Sequence, residues 1–112
     1  METILSVDFW NLFNNKFNEF VKNYNFIKNT NSYSISSITN DKYLIEIVYY
    51  THPQFDEIEL LIEILDINAN NIIYENKYLL INNADRTTIT LKEPVKYFMD
   101  IFFNEIIKKI NV

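Results

Sequence analysis

The sequence predicts an α+β fold: a helix, an antiparallel meander of four to five strands and a closing helix, with both helices packed on one sheet face. Three observations carry that expectation. Phe9, Phe13, Phe17, Phe20, Val21 and Tyr24 recur three or four residues apart, the helical period. Ile58, Leu60, Ile62 and Ile64 alternate with Glu57, Glu59, Leu61 and Glu63, the signature of a strand buried on one face. Val95, Phe98, Phe102, Ile106 and Ile110, widened by Met99 and Phe103, form a second helical stripe. A sheet that is apolar on one side needs a cover there, and two amphipathic helices supply it.

The first helix is expected over residues 7–24, capped by Ser6 or Asp8 and ending near Asn23 and Asn25. Residues 32–39 follow as a strand with Tyr33, Ile35 and Ile38 as apolar positions, and Thr39-Asn40-Asp41-Lys42 reads as a hairpin turn. Strands are then expected over 43–50 and 57–64. Asn68-Ala69-Asn70-Asn71 turns the chain into a fourth strand over 72–81, and residues 87–91 add a short fifth. Pro94 suits the first position of the closing helix, where its missing N–H has no partner to lose, and Lys108 and Lys109 favour the negative end of that helix.

The 112 residues are 48% hydrophobic and 22% charged, which fits a single α+β domain over 1–112. Cysteine is absent and His52 is the single histidine, which excludes disulfides, thiol chemistry and His-rich zinc sites. There is no glycine, so Gly-rich phosphate loops and dinucleotide fingerprints are excluded too. Asparagine, present seventeen times, is the residue left to make tight turns, and Asn40, Asn68, Asn70, Asn71, Asn82 and Asn83 fall where turns are needed. No apolar run approaches the roughly 18 residues of a membrane span, and Met1-Glu2-Thr3-Ile4 lacks the basic start of a secretory signal, so the expectation is a cytoplasmic protein.

Charge is unevenly spread. Of the net −5, the segment 56–75 carries six carboxylates, Asp56, Glu57, Glu59, Glu63, Asp66 and Glu75, and no Lys or Arg. The segments before and after it are nearly compensated, at −1 and +2. With the helices on one face, the other face of the sheet is open and carries Glu57, Glu59, Leu61 and Glu63 beside Glu46, Leu44, Val48 and Tyr50 of the neighbouring strand. Tyr49 and Tyr50 lead into Thr51-His52-Pro53-Gln54-Phe55, a loop rich in amphipathic side chains. Outward carboxylates on a half-exposed sheet serve solubility in any case. Carboxylates interleaved with aromatic anchors also suit recognition of a basic protein surface.

Three catalytic constellations are present in outline. Asp66-x-Asn68-x-Asn70 copies the opening of an EF-hand loop, but Asn71 stands where the sharp turn needs Gly and Lys77 where the bidentate Glu belongs. Asp66 with Glu75-Asn76-Lys77 resembles the Asp…Glu-x-Lys motif of metal-dependent nucleases, in which two carboxylates hold Mg²⁺ and the Lys assists the reacting water. An acidic chain with one Arg matches a phosphate backbone poorly. His52 with Asp56 or Glu57 forms the outline of a base and its orienting carboxylate, with Thr51 as the nearby hydroxyl.

The reading that absorbs most of these features is a non-catalytic binding protein, a small acidic inhibitor that neutralises a basic effector or toxin. In size, charge and α+β architecture the chain is similar to immunity proteins of bacterial toxin systems, and the resemblance implies a basic protein partner. The expected partner-binding residues are Glu46, Tyr49, Tyr50, His52, Phe55, Glu57, Glu59 and Glu63, with no cofactor, no nucleic acid and no membrane involved. The alternatives are a homo-oligomeric structural or accessory protein, a homodimer joined by an edge strand or helix, and a small metal-dependent nuclease-like or ligand-binding domain. The last would use a pocket between helices and sheet lined by Trp10, the phenylalanines and Tyr97.

Overall fold

The computed structural model describes residues 1–32, 35–52 and 56–111. The chain runs β1 (Glu2–Leu5), α1 (Ser6–Asn23), β2 (Ile27–Ser32), β3 (Ile35–Thr39), β4 (Tyr43–His52), β5 (Glu57–Asp66), β6 (Asn71–Asn82), β7 (Thr88–Leu91) and α2 (Val95–Ile110). Among the described residues these strands form one antiparallel sheet in the order β1-β7-β6-β5-β4-β3-β2. The α+β class, the meander and the flanking helices match the expectation. The strand count is higher, seven against four to five, because β1 and β2 extend the sheet at its two ends.

That layout follows from α1. It must carry the chain from β1 at one edge to β2 at the other. Eighteen residues of helix reach about 27 Å, and seven strands spaced about 4.8 Å apart span about 29 Å. The helix therefore crosses the whole sheet and lays Phe9, Phe13, Phe17 and Phe20 on it, all buried. It ends at Asn23, and Asn25 takes φ 58° to turn the chain into β2, as an asparagine tolerates. The expected capping by Ser6 or Asp8 does not occur. Leu5 is the N-cap with no side-chain hydrogen bond, since β1 feeds straight into the helix and the Ser6 N–H donates to the carbonyl of Thr87, just before β7, at 2.8 Å.

α2 packs beside α1 on the same face. Phe102 meets Phe13 edge-on at 5.3 Å, and Phe98 lies 6.0 Å from Phe9. Below them lie the inward residues Ile45, Ile47, Ile58, Leu60, Ile62, Ile64 and Leu80, each at most 5% exposed. Around Trp10, where the ligand-binding alternative would place its pocket, the layer is filled by rings. Trp10 stacks on Tyr49 at 4.8 Å, and Tyr97 is 54% exposed on the outer side of α2. Burial beside Tyr74 pushes the Tyr78 phenol well above its ordinary pKa, so it stays neutral where its ring packs on Phe98 and Phe102.

Pro94 stands one position earlier than expected, as the N-cap of α2, and offers neither an N–H nor a side-chain acceptor. The acceptor comes from the strand next to β7: Glu2 Oε1 of β1 takes the Val95 N–H at 2.6 Å. A carboxylate at a helix N-terminus is favoured by both the hydrogen bond and the dipole. Glu2→Ala should therefore cost about 0.5–2 kcal/mol, the range for a lost cap. Urea unfolding at neutral pH reads this directly, and an unchanged midpoint would show that the bond contributes nothing.

The turns confirm the role of asparagine. Asn40 Oδ1 accepts the N–H groups of Lys42 and Tyr43 at 2.9 and 2.8 Å, and Asn70 takes φ 52° in the β5–β6 turn. Arg86, at φ 63°, is the position composition did not reveal. It sits in the β6–β7 turn, where Asp85 accepts the Thr87 N–H at 3.0 Å, a bond that holds its carboxyl below the usual range.

Candidate binding face on the open side of the sheet

Side chains alternate across a strand, so burial of Ile58, Leu60, Ile62 and Ile64 under the helices puts Glu57, Glu59, Leu61 and Glu63 on the other side. The register carries this outward face across the sheet. Leu44, Glu46, Val48 and Tyr50 of β4 oppose Leu65, Glu63, Leu61 and Glu59 of β5. On the far side of β5, Glu63, Leu61, Glu59 and Glu57 oppose Glu75, Lys77, Leu79 and Ile81 of β6. Ser37 of β3 lies opposite Glu46. No helix covers this face, since both pack on the other.

Its centre is a row of three carboxylates in direct opposition, Glu46, Glu63 and Glu75, one from each of three adjacent strands. Backbone bonds fix the spacing. The Ile67 N–H donates to the Lys42 carbonyl at 2.9 Å and the Asn82 N–H to the Asp56 carbonyl at 3.0 Å. Counting in twos from these, Glu46 and Glu63 form a hydrogen-bonded pair, with Cα atoms about 5.5 Å apart, and Glu63 and Glu75 a non-hydrogen-bonded pair at about 4.5 Å, where side chains are closest. Glu46 and Glu63 are half-buried and Glu75 is exposed. Among the described residues, no Lys or Arg stands within ion-pair distance of the three; Lys77, one row along, reaches Glu59 at 3.7 Å.

The row lines a concavity of about 440 Å³ together with Val48, Leu61 and Lys77. Around it the face is apolar and wet: Tyr50 is 53% exposed, Leu79 57%, Ile72 46% and Ile81 42%. Toward β1 it becomes neutral and polar. There Asn83 Nδ2 donates to the hydroxyls of Thr88 and Thr90 at 2.7 and 3.0 Å, and Thr90 meets Thr3 at 2.9 Å. The charge is thus concentrated on β4, β5 and β6.

Of the residues expected to bind a partner, Glu46, Tyr50, Glu57, Glu59 and Glu63 share this face. Tyr49 does not; it points to the helix side and stacks on Trp10. His52 ends β4 opposite Glu57, and Phe55 lies outside the described residues, as does Tyr33. Glu75 is the member missing from the expected set. A bulge at Ile73 decides its side, because the β5–β6 register shifts between Ile64↔Tyr74 and Leu65↔Ile72. Continued without that shift, the pairing of Asp66 with Asn71 sets Tyr74 opposite Glu63 and turns Glu75 under the helices.

The catalytic outlines do not assemble. Asp66 pairs with Asn71 at the hairpin end and accepts the Ala69 N–H at 3.1 Å, far along the strand from Glu75 and on the other face from Glu75 and Lys77. The EF-hand-like segment is a β-turn between strands. Thr51 opposes the buried Ile58, which sets it on the helix side, away from the carboxylate row. No group of three or more His, Asp or Glu residues is gathered to hold a metal ion among the described residues. No described helix is long and apolar enough to cross a membrane. Compared with known proteins, the chain matches no family model, no curated protein and no solved structure.

Proposed function

We propose that this chain is a non-catalytic protein-binding module that neutralises a basic protein partner through the open sheet face, in the manner of an acidic inhibitor or immunity protein. The observation that carries the reading is the uncompensated row Glu46–Glu63–Glu75. Carboxylates that serve only solubility work equally well when dispersed. Like charges set directly opposite across strands destabilise a sheet, by about 0.2–1 kcal/mol per pair, so this arrangement has a cost that dispersal avoids. A cation delivered by a partner removes that repulsion, which links binding to relief of a stress inside the free protein.

The surroundings suit such a partner. A concave wall of low polarity focuses the field of the three carboxylates and steers a basic surface toward them. Arginine is the best occupant, because its planar fork can engage two carboxylates at once. Tyr50, Val48, Leu61 and Leu79 then supply contact area around the charged centre, the arrangement in which an aromatic anchor contributes most. Nucleic acid is the wrong partner for this face, since its phosphates would meet carboxylates.

The test is retention of partners from the native host at low and high salt. A basic protein should be held at low ionic strength and released as screening shortens the reach of the row, about 10 Å at 0.1 M. Glu46→Lys should abolish retention, while Glu19→Lys, the same charge change on the exposed side of α1, should leave it intact. Equal loss from both variants would mean that net charge, and not this face, does the binding.

A further inference from the structure

β6 is twelve residues long, but β7 pairs with it only at Ile81↔Thr90 and Asn82↔Ile89. Beyond Leu91 the chain leaves the sheet through Lys92-Glu93-Pro94 to start α2. Among the described residues, most of β6 therefore has a strand on one side only. In place of a continued β7 there is a notch of about 470 Å³, bounded by Tyr78, Leu79, Leu80, Leu91, Phe98 and Ile101.

The backbone groups facing this notch can be identified. The Asn82 N–H to Asp56 carbonyl bond makes 82 and 56 a hydrogen-bonded pair toward β5, and the Asn83 N–H to Thr88 carbonyl bond at 3.1 Å sets the complementary parity toward β7. Hence Leu79, Lys77 and Glu75 direct their N–H and C=O groups away from β5. One of these donors has a local substitute: the Lys77 N–H is taken by Asn76 Oδ1 at 2.8 Å. A side chain standing in for a strand partner is one of the ways an open edge is held in check.

We propose that this edge pairs with the same edge of a second copy, β6 against β6 about a two-fold axis at Asn76, to form a homodimer with one continuous sheet. Charge selects the occupant and the register. With Asn76 on the axis, Glu75 of each copy lies opposite Lys77 of the other, and both belong to the set whose backbone groups face outward, so the two pairs are oppositely charged and become hydrogen-bonded as the Lys77 N–H exchanges Asn76 Oδ1 for the second copy. Moving the axis to Glu75 or Lys77 sets like charges against each other. In the chosen register Tyr74 opposes Tyr78 on the helix side, and the exposed Leu79 lies opposite Ile73. An interface that is self-complementary under two-fold rotation is what a closed dimer requires. The open face stays open, with Glu46 and Glu63 still uncompensated, and Glu75 is the residue that the dimer edge shares with the proposed partner site.

Sedimentation of the full chain over a wide concentration range tests this. The wild type should rise from 13.5 kDa toward twice that mass. Lys77→Glu and Glu75→Lys should each weaken association at least tenfold. The double variant E75K/K77E should regain it, and an equimolar mixture of the two single variants should associate although neither does alone. Circular dichroism and unfolding midpoints of each variant separate lost association from lost folding. A wild type that stays at 13.5 kDa throughout overturns the proposal, as does a double variant that remains monomeric while the wild type dimerises. Glu46→Lys should not change the mass, so this proposal and the partner-binding reading fail separately.

Discussion

Phe102→Ala is expected to lower the unfolding free energy by about 3–5 kcal/mol, the usual cost of emptying a buried aromatic site. Phe102 is 1% exposed and stands where three elements meet. Its ring lies 5.3 Å from Phe13 of α1, 5.2 Å from Tyr78 of β6, and 6.1 and 5.1 Å from Phe98 and Phe103 of its own helix. None of these rings can close the gap alone, because each is held by others: Phe13 also packs on Phe9 and Trp10, and Phe98 on Phe9 and Tyr78. The cavity therefore remains, and its lining loses dispersion contacts as well as hydrophobic burial. Domains of this size have about 5–15 kcal/mol of stability in total, so the variant should sit near the edge of folding at 37 °C. Tyr97→Ala, on the exposed side of the same helix, should stay within about 0.5 kcal/mol of wild type. Denaturant unfolding with both variants checks the packing of α2: a loss at Phe102 no larger than at Tyr97 would mean that the helix does not dock as described.

The elements that could be read from the sequence are those whose burial repeats long enough to show a period. α1, α2 and β5 each offer four or more inward side chains, and their buried faces are the expected ones. β1 and β2 escaped notice for different reasons. β1 is four residues long with Ile4 as its half-buried position, too short to show alternation, and it enters α1 without a turn. β2, Ile27-Lys28-Asn29-Thr30-Asn31-Ser32, is a polar edge strand that exists because β3 pairs with it, not because of its own composition. The helix starts were not legible because their partners are tertiary: at α1 the Ser6 N–H goes to the Thr87 carbonyl in place of a side-chain cap, and at α2 the Val95 N–H goes to Glu2, at the other end of the chain. The candidate face was legible on β4 and β5, where Glu alternates with Leu and Val along the open side. On β6 both sides mix apolar and polar residues, Tyr74-Asn76-Tyr78-Leu80 against Glu75-Lys77-Leu79-Ile81, so pattern alone leaves the inward side undecided. The bulge at Ile73 resolves it, and a bulge leaves no mark in composition.

Glu63→Lys should separate the two interpretations of the carboxylate row, because it is expected to move binding and stability in opposite directions. In the free protein Glu63 stands between Glu46 and Glu75, directly opposite both. A lysine there converts two like-charged cross-strand pairs into two opposite-charged ones. Each such change is worth a few tenths of a kcal/mol to about 1 kcal/mol at a partly exposed position, so the two together should stabilise the domain by about 0.5–2 kcal/mol. A basic partner sees the reverse. The centre of the concavity changes from attractive to repulsive, and affinity should fall by at least tenfold, which is about 1.4 kcal/mol, with the larger part of the loss in the association rate and its salt dependence. Glu63→Gln should fall between the two on both measures. A residue that matters only structurally cannot give this result, since damage to the fold lowers stability and binding together. If the lysine variant is more stable and still binds, the row is a surface ornament of the sheet and the partner docks elsewhere. If it is less stable, the three carboxylates are not in the opposition that the register describes. A more stable protein that has lost its partner is the outcome expected of a site in which repulsion is retained because a partner's cation relieves it.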